Sequence, residues 1–269
     1  MPIRPTSRDM DETLVALVRQ HDPDRFLTAL FAPPEQRDAL LALYAFNHEL
    51  ARAREVATEP TLALIRLQWW REVVDGAVRR HAVATPLAAA IDDGKLQRAD
   101  LHAIIDAREI EAEPEIATFA DWRAYVLAGA GGIAVAAARL LGAPEPDALR
   151  PLGAAYGVAG SLRSVSLLAA HGRCLLPADL LAAQGASVAA AIAAPDAAPV
   201  RAVQMRLADE GRALLRQGRG APLPRGAIAA ALPAVLARRD LARWPRLAPP
   251  QRGIGDRMAV TIAGFRRRL

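Results

Sequence analysis

The stretch LALYAFNHELARAREVATEP, residues 41–60, is the part of the sequence that decides the fold. Apolar residues recur in it at the spacing of one helix face, and Pro60 ends the pattern. A second stretch, AAYGVAGSLRSVSLLAAHGRCLLP, residues 154–177, is apolar over most of its length. Because a helix that is apolar all round must be buried, we expect the second stretch at the centre of the protein.

The rest of the chain shows the same helical periodicity. Pro33 and Pro34 should open the helix that contains the first stretch, and Thr61 should cap the next one, with Leu64 and Trp70 facing inward. Further helices are predicted at residues 86–91, 98–113, 121–141, 147–170, 200–217, 228–239 and 255–268. Residues 183–199 are alanine-rich and predict a surface loop with partial helix. No alternating β-branched run lies between hairpin turns, so the fold class is predicted to be all-α, with one domain over residues 1–269.

Composition limits the classes of protein to which the chain can belong. Of the 269 residues, 52% are hydrophobic, which suffices for one large core. No 18 apolar residues follow one another without interruption, so no membrane span is indicated. The N-terminal segment resembles neither a secretory signal nor a transit peptide, and a single cysteine, Cys174, suits a reducing compartment. We therefore expect a cytoplasmic protein, with a peripheral position at the inner membrane as the alternative.

The net charge of +5 favours acidic partners, although the preference for Arg over Lys is also what genome composition produces. Lys95 is the only lysine. Aromatic residues make up only 4% of the chain and do not alternate with basic ones. Proteins that bind single-stranded nucleic acid stack its bases on aromatic rings, so nucleic acid is not an expected partner of this chain.

Three short segments resemble motifs of a known family. The segment FLTALFAPP, residues 26–34, leads into LYAF, residues 43–46, and GRCLLP follows at residues 172–177. Their order over about residues 24–240 resembles the squalene/phytoene synthase superfamily. The resemblance implies an isoprenoid-synthase-like helical bundle around a central cavity. In active members two helices present aspartates to Mg²⁺ ions, which hold a prenyl diphosphate.

The expected aspartates are absent from this sequence. Ala51 and Arg52 stand where the first acids should fall, and residues 154–177 contain no Asp or Glu. Carboxylates one turn apart on one helix face suit a Mg²⁺ cluster, whereas Glu49 and Glu55 are six residues apart and lie on different faces. We therefore predict no catalytic residue, no metal ligand and no cofactor. Mg²⁺ belongs only to the alternative in which the chain is an active synthase.

Other motifs resemble a non-synthase branch of the superfamily, which includes the mitochondrial complex I (NADH:ubiquinone oxidoreductase) assembly factor. They are AFNHELA at residues 45–51, RLQWW at 66–70 and DARE at 106–109, followed by Leu-Pro at 176–177. The resemblance implies a role in building a respiratory complex, with its subunits or the membrane surface as partners. The residues taken as the signature of this branch are Arg66, Gln68, Trp70, Arg108, Glu109 and Pro177.

Several polar residues are candidates for a binding site in the cavity. Guanidinium groups could hold an anion there in place of Mg²⁺. The candidate ligand-binding residues are Tyr44, Asn47, His48, Glu49, Arg52, Arg163 and Arg173. In the alternative interpretation Asn47 to Glu49 form an ordinary polar helix face, and Glu49 pairs with Arg52 on the surface.

Three further groups of residues have competing interpretations. Glu109 and Glu113 have metal-ligand spacing but, with Glu111 nearby, are more typical of a solvated acidic face. Trp69 and Trp70 are expected to be core and interface aromatics, with partner binding as the alternative. The basic C-terminal helix, residues 255–269, could lie on an anionic membrane or dock on the protein, and both interpretations stay open.

The leading hypothesis is a non-catalytic synthase-like protein that acts through protein or lipid contacts. The first alternative is a Mg²⁺-dependent prenyltransferase that condenses two prenyl diphosphates, and the second is an isoprenoid-lipid binder without chemistry. These hypotheses differ in the residues that should face the cavity. Ala51, Arg52 and Leu168 should face it if the metal site has been lost, whereas acids such as Glu109 or Glu113 should point into it if the enzyme survives.

Overall fold

A computed structural model describes residues 7–55, 59–220, 223–245 and 252–267 of the chain. Within that part all regular structure is helical, which confirms the all-α prediction. The helices are α1 (Ser7–His21), α2 (Pro23–Ala29), α3 (Pro34–Glu55), α4 (Pro60–Val74), α5 (Ala84–Asp92), α6 (Arg98–Arg108), α7 (Phe119–Ala128), α8 (Ala130–Leu140), α9 (Arg150–Ala170), α10 (Ala178–Ala183), α11 (Val188–Ala193), α12 (Ala198–Gln217), α13 (Ile228–Ala231), α14 (Pro233–Arg243) and α15 (Ile254–Arg266). Short 3₁₀ helices lie at Glu109–Ala112, Pro146–Leu149 and Arg225–Ala227.

Prolines and polar caps set the starts of the first helices. Helix α2 begins after Asp22, whose side chain accepts a hydrogen bond from the backbone N–H of Arg25. Helix α3 begins at Pro34, as the Pro-Pro pair predicts. The prediction that Thr61 caps α4 is wrong, because α4 already begins at Pro60 and Glu59 occupies the cap position.

The predicted single helix at residues 121–141 is in fact two. Gly129 separates α7 from α8 with a backbone conformation outside the helical region, φ −74° and ψ −88°. A side chain there would also be blocked, since a β-carbon would lie 2.9 Å from the carbonyl oxygen of Tyr125. By length and composition alone, residues 119–140 are long and apolar enough to cross a membrane, but 61% of the most apolar part of that stretch is buried within the protein. Core helices commonly have this composition.

Helix α9 is central, as its apolar sequence predicts. It packs against α7, α8, α12 and α14. Gly153 and Gly157 allow α8 to approach closely, because a β-carbon on Gly153 would lie 2.6 Å from the backbone oxygen of Ala130. The helix is shorter at its start than predicted, since the 3₁₀ helix Pro146–Leu149 precedes it.

Other differences from prediction reflect packing that local periodicity does not report. Leu64 is exposed rather than inward-facing, whereas Leu67, Trp70, Val73 and Val74 are buried as expected. The predicted helix at residues 228–239 is divided between α13 and α14, which begins at Pro233. The alanine-rich segment 183–199 contains the partial helix that was expected, α11, but Ala191 of that helix is buried against the core rather than at the surface.

Candidate ligand cavity

A cavity of about 1380 Å³ opens between α2, α3, α9 and the junction of α7 with α8. Ala51 of α3 and Leu168 of α9 lie on its wall, on the two segments that suggested the family. Arg52 is absent from the wall because its side chain turns outward. Two of the three residues expected to face the cavity, Ala51 and Leu168, therefore line it, and neither position carries a carboxylate.

Positive charge dominates the described wall. Three carboxylates line the cavity there, those of Asp22, Asp24 and Glu111. Seven arginines line it with them: Arg19, Arg25, Arg108, Arg163, Arg173, Arg252 and Arg257. Such an excess of one sign in a concave, partly desolvated space attracts anions.

The Glu111 cluster, formed by Asn47, Arg108, Glu111, Tyr125 and Arg173, occupies one part of the wall. The Glu111 carboxylate accepts hydrogen bonds from Arg108 Nη1 at 2.6 Å and from the Tyr125 hydroxyl at 2.7 Å. Arg108 also donates to Asn47 Oδ1 at 3.0 Å, and Arg173 Nη2 lies 3.6 Å from Glu111 Oε2. Burial, and then the charge of Glu111, raises the pKa of Tyr125, so its phenol stays protonated and acts as a donor.

The placement of Glu111 corrects the expectation of a solvated acidic face. Glu111 is 7% exposed, whereas Asp106 and Glu109 lie at the surface and both accept a hydrogen bond from Arg71 at 2.6 Å. The helix tightens after Arg108 into the 3₁₀ helix Glu109–Ala112, which turns Glu111 inward. Glu113 remains exposed, in keeping with the expectation for it.

The Asp24 cluster, formed by Asp24, Tyr156, Arg163, Asp240 and Arg252, includes another part of the wall, which all of these residues line except Asp240. Arg252 donates to Asp24 Oδ2 at 2.9 Å and to Asp240 Oδ1 at 2.6 Å, and the Tyr156 hydroxyl donates to Asp24 at 3.1 Å. Arg163 Nη1 lies 3.5 Å from Asp240 and 3.8 Å from Asp24. Burial works to lower the pKa of Arg252, but hydrogen bonds to the two carboxylates outweigh it and raise that pKa.

Arg25 lies beside this cluster, between two aromatic rings. Its guanidinium carbon is 5.0 Å from the centre of the Tyr156 ring and 5.6 Å from that of the Tyr44 ring. Arg25 Nη1 donates a hydrogen bond to Asp22 Oδ2 at 3.0 Å. Burial raises the pKa of Tyr44 to about 12. Tyr44 itself is fully buried behind the wall of the large cavity.

The structure brings only some of the candidate ligand-binding residues to the cavity. Asn47, Arg163 and Arg173 line it. Glu49 and Arg52 lie outside it and pair at 3.2 Å, as the surface interpretation proposes. His48 stacks on His21 with ring centres 4.5 Å apart. Burial lowers the pKa of His48, and the charge of His21 lowers it further.

The signature residues serve different purposes. Arg108 belongs to the Glu111 cluster, whereas Glu109 pairs with Arg71 at the surface. Trp70 is buried and its ring meets that of Phe46 edge-on at 5.3 Å. Arg66 and Gln68 of the same helix are exposed, and Pro177 is buried at the start of α10.

The wall does not fit a Mg²⁺ cluster. In the described ranges no three His, Cys, Asp or Glu side chains are grouped as metal ligands. Each wall carboxylate is instead bonded to an arginine: Asp22 to Arg25, Asp24 to Arg252 and Glu111 to Arg108. A metal would have to displace these guanidinium groups.

Sequence reasoning did not identify several residues of the wall. They are Asp24, Arg25, Glu111, Tyr125, Tyr156 and Arg252. The segment DPDR at residues 22–25 offers a signal, since it places four polar or turn-forming residues where α1 meets α2. No local signal links Arg252 to Asp24, because the two are 228 residues apart.

The fold resembles that of solved isoprenoid-synthase-like proteins. Squalene synthase HpnC from Alicyclobacillus acidocaldarius aligns with a TM-score of 0.73 at 22% identity, over 89% of this chain and 94% of its own. A dehydrosqualene synthase crystallised with a ligand aligns with a TM-score of 0.77 at 15% identity, over 97% of this chain and 96% of its own. At these identities the likeness concerns the fold, and it confirms the predicted isoprenoid-synthase-like architecture.

Curated relatives are similar in sequence over part of the chain. Complex I (NADH dehydrogenase, ubiquinone) assembly factor 6 of Bos taurus is 28% identical over 185 residues, and that of Homo sapiens is 26% identical. In both cases the match covers 66% of this chain and 56% of the relative. The chain thus spans a little over half the length of the curated relatives it matches.

The family itself is established by a match over most of the chain. The family model described as squalene/phytoene synthase matches residues 18–248. This range includes both segments in which the sequence predicted the resemblance. The chain therefore belongs to the squalene/phytoene synthase family.

Proposed function

We propose that this chain is a non-catalytic member of its family that contributes to the assembly of respiratory complex I. The observation that carries the non-catalytic part is the pairing of every described wall carboxylate with an arginine. The similarity to assembly factor 6 supports the assembly part. The partners in this role are respiratory-complex subunits.

Ionising a prenyl diphosphate requires stabilisation of the negative leaving group, which Mg²⁺ provides in active family members. Mg²⁺ binds through carboxylates and phosphates. Freeing Asp24 or Glu111 for a metal would break a buried ion pair, at a cost of about 3–5 kcal/mol. The wall is therefore suited to neutralise an anion with guanidinium groups and not to bind the metal that the reaction needs.

A diphosphate-release assay tests the non-catalytic part. Farnesyl diphosphate and Mg²⁺ incubated with the protein should release no diphosphate above the rate in buffer, while an active squalene synthase in parallel shows that the assay works. The same assay with geranylgeranyl diphosphate covers the longer substrate. Protein-dependent turnover that requires Mg²⁺ would refute this part of the proposal.

Deletion of the gene tests the assembly part. Cells without the protein should lose assembled complex I on native gels and accumulate partial assemblies, while complex II stays at its normal level. Expression of the wild-type chain should restore complex I. A normal amount of assembled complex I in the deletion strain would contradict the assembly role and leave the first test unaffected.

A second candidate function is the binding of an anionic isoprenoid lipid without chemistry. It is favoured by the excess of arginines on a wall that also carries apolar residues such as Val126, Leu167 and Leu168. Such a lining matches an amphiphile with a negative head group and a hydrocarbon chain. Calorimetry with farnesyl diphosphate in the absence of Mg²⁺ should then show saturable binding.

Two arginine variants make this test specific. Arg173→Gln should weaken the binding about tenfold or more, since a charge-assisted hydrogen bond contributes about 1.5–3 kcal/mol. Arg52→Gln is the matched control, because Arg52 follows Ala51 in the chain but lies outside the wall. Equal weakening by both variants, or no saturable binding at two temperatures, would contradict a specific site.

A further inference from the structure

Helix α15 exposes a row of large apolar side chains to solvent. Ile254 is 79% exposed, Met258 55%, Ile262 45% and Phe265 77%. Their spacing of four, four and three residues places them on one side of the helix, within about 80° of one another at 100° per residue. We call this row the outer face of α15.

The opposite side of α15 is fixed to the protein. Asp256 accepts hydrogen bonds from Arg239 at 2.6 Å and from Arg243 at 3.3 Å, and Val260 is fully buried. At Gly264 the helix lies so close to Phe31 that a β-carbon would stand 2.5 Å from that ring. Because these contacts set the rotation of the helix, the outer face cannot turn inward to bury itself.

Arginines flank the outer face on both sides. At 100° per residue, Arg257 lies about 60° before Ile254 around the helix, and Arg266 lies about 40° beyond Ile262. Both are exposed, as is Arg267, where the described helix ends. Such arginines can place their stems along an apolar surface and their charges in a layer of anionic groups.

Acidic side chains are missing from this surface of the described helix. Asp256 is the only acid in α15, and it is buried and paired. A protein partner would have to supply both an apolar groove and flanking carboxylates, whereas an anionic bilayer presents hydrocarbon beneath a negative head-group layer along its whole plane. The charge pattern therefore favours a lipid surface.

The flank of the outer face that carries Arg257 borders the cavity. Arg257 lines the cavity, and so do Leu30 and Leu167, both of which are exposed large apolar residues. A bilayer that contacts α15 would consequently lie beside the opening through which a ligand enters. The route from membrane to cavity would then be short and bordered by apolar side chains.

We propose that α15 binds an anionic lipid surface through its outer face and holds the mouth of the cavity against the bilayer. This inference goes beyond the assembly role and does not depend on it. It also combines the two interpretations of the C-terminal helix, since the inner side is docked on the protein and the outer face meets the membrane.

Vesicle co-sedimentation of the full chain tests the proposal. The protein should bind vesicles of phosphatidylcholine mixed with phosphatidylglycerol, and its binding to phosphatidylcholine alone should be much weaker. Added salt should reduce the binding, because the arginine charges act through a screened field. Failure of the wild-type chain to bind the anionic vesicles would overturn the proposal without touching the diphosphate-release or deletion results.

Paired variants separate the outer face from general hydrophobicity. Met258→Ser with Ile262→Ser should lower the partition coefficient about tenfold or more, since two apolar side chains no longer enter the interface. Leu62→Ser with Ile65→Ser is the control, because these α4 side chains are similarly exposed, 44% and 59%. Equal losses in both pairs would refute α15 as the docking element.

The arginines provide a second, independent variant. Arg257→Gln with Arg266→Gln should lower binding to the anionic vesicles by about fivefold per charge and leave binding to neutral vesicles unchanged. Because both residues are exposed, this variant retains the folded core, and thermal unfolding checks that it does. Light scattering of the protein alone should show monomers. If it shows dimers, and if Met258→Ser with Ile262→Ser dissociates them, the outer face joins two copies of the chain instead.

Discussion

Replacing Glu111 with alanine should destabilise the protein by about 3–5 kcal/mol, the usual cost of removing one partner from a buried ion pair. The carboxylate is almost wholly buried and holds Arg108 at 2.6 Å and the Tyr125 hydroxyl at 2.7 Å. Without it, the charge of Arg108 loses this ion pair and the phenol of Tyr125 loses its acceptor. For a chain of this size the loss corresponds to a melting temperature lower by about 6–20 °C.

Two further variants turn this value into a test of the Glu111 cluster. Glu111→Gln keeps an oxygen acceptor for Tyr125 but loses the charge, so it should cost less, about 1–3 kcal/mol. Glu109→Ala is the matched control, because Glu109 lies two residues away on the same 3₁₀ helix and pairs with Arg71 at the surface. Such exposed pairs contribute about 0–1 kcal/mol.

The assay is urea unfolding at pH 7, followed by circular dichroism and tryptophan fluorescence. The free energies of unfolding should fall in the order Glu109→Ala, Glu111→Gln, Glu111→Ala, from most to least stable. If Glu111→Ala cost no more than Glu109→Ala, Glu111 would not be the buried partner of Arg108, and the description of the wall as neutralised carboxylates would be refuted.

Two other stability predictions follow from the helix contacts. Gly153→Ala should destabilise the protein by about 1–3 kcal/mol in urea unfolding, because its β-carbon would lie 2.6 Å from a backbone oxygen of α8. Gly160 lies in the same helix with open space around it, so Gly160→Ala should be neutral or stabilising by up to about 1 kcal/mol. Equal effects of the two substitutions would contradict the close packing of α8 on α9. Burial opposes ionisation of Asp256, but hydrogen bonds from two arginines of α14 outweigh it and hold its pKa below the unfolded value of 3.8. Its contribution to stability is therefore present at pH 7 and lost as the pH falls through the folded-state pKa. Asp256→Asn should consequently unfold at lower urea than the wild type at pH 7, by about 1–3 kcal/mol, with a gap that closes in acid; a gap independent of pH would show that the charge is not responsible.

Much of the fold could be predicted from the sequence, because a helix leaves a periodic pattern among residues that are close along the chain. The start of α3 at Pro34 and the central position of α9 were predicted from proline placement and apolar composition, and the structure confirms both. The apolar pattern predicted one continuous helix through Gly129, and the packing around that residue divides it into α7 and α8. Leu64 likewise follows the helical period yet lies on the outside of α4.

Only part of the cavity wall could be predicted from the sequence. Asn47, Arg163 and Arg173 were candidates and lie on it, whereas Glu49 and Arg52 lie outside. On a helix, a shift of one position turns a side chain by about 100°, so Ala51 faces the cavity while Arg52 points away. A motif alignment that is correct to within one helical turn can therefore still predict the wrong direction for an individual side chain.

The sequence by itself determined that the protein is all-α, that it has the motifs of its family, and that two helices lack the carboxylates that an active member presents to Mg²⁺. These features depend on neighbours along the chain, and the period of a helix makes them visible there. Tertiary structure alone decided which charges meet. It brought Arg252 to Asp24 across 228 residues, turned Glu111 inward to Arg108, and left one side of α15 facing solvent. The physical reason is that a buried charge is stable only beside a partner, and the partner is chosen by how helices pack in space and not by their order in the chain.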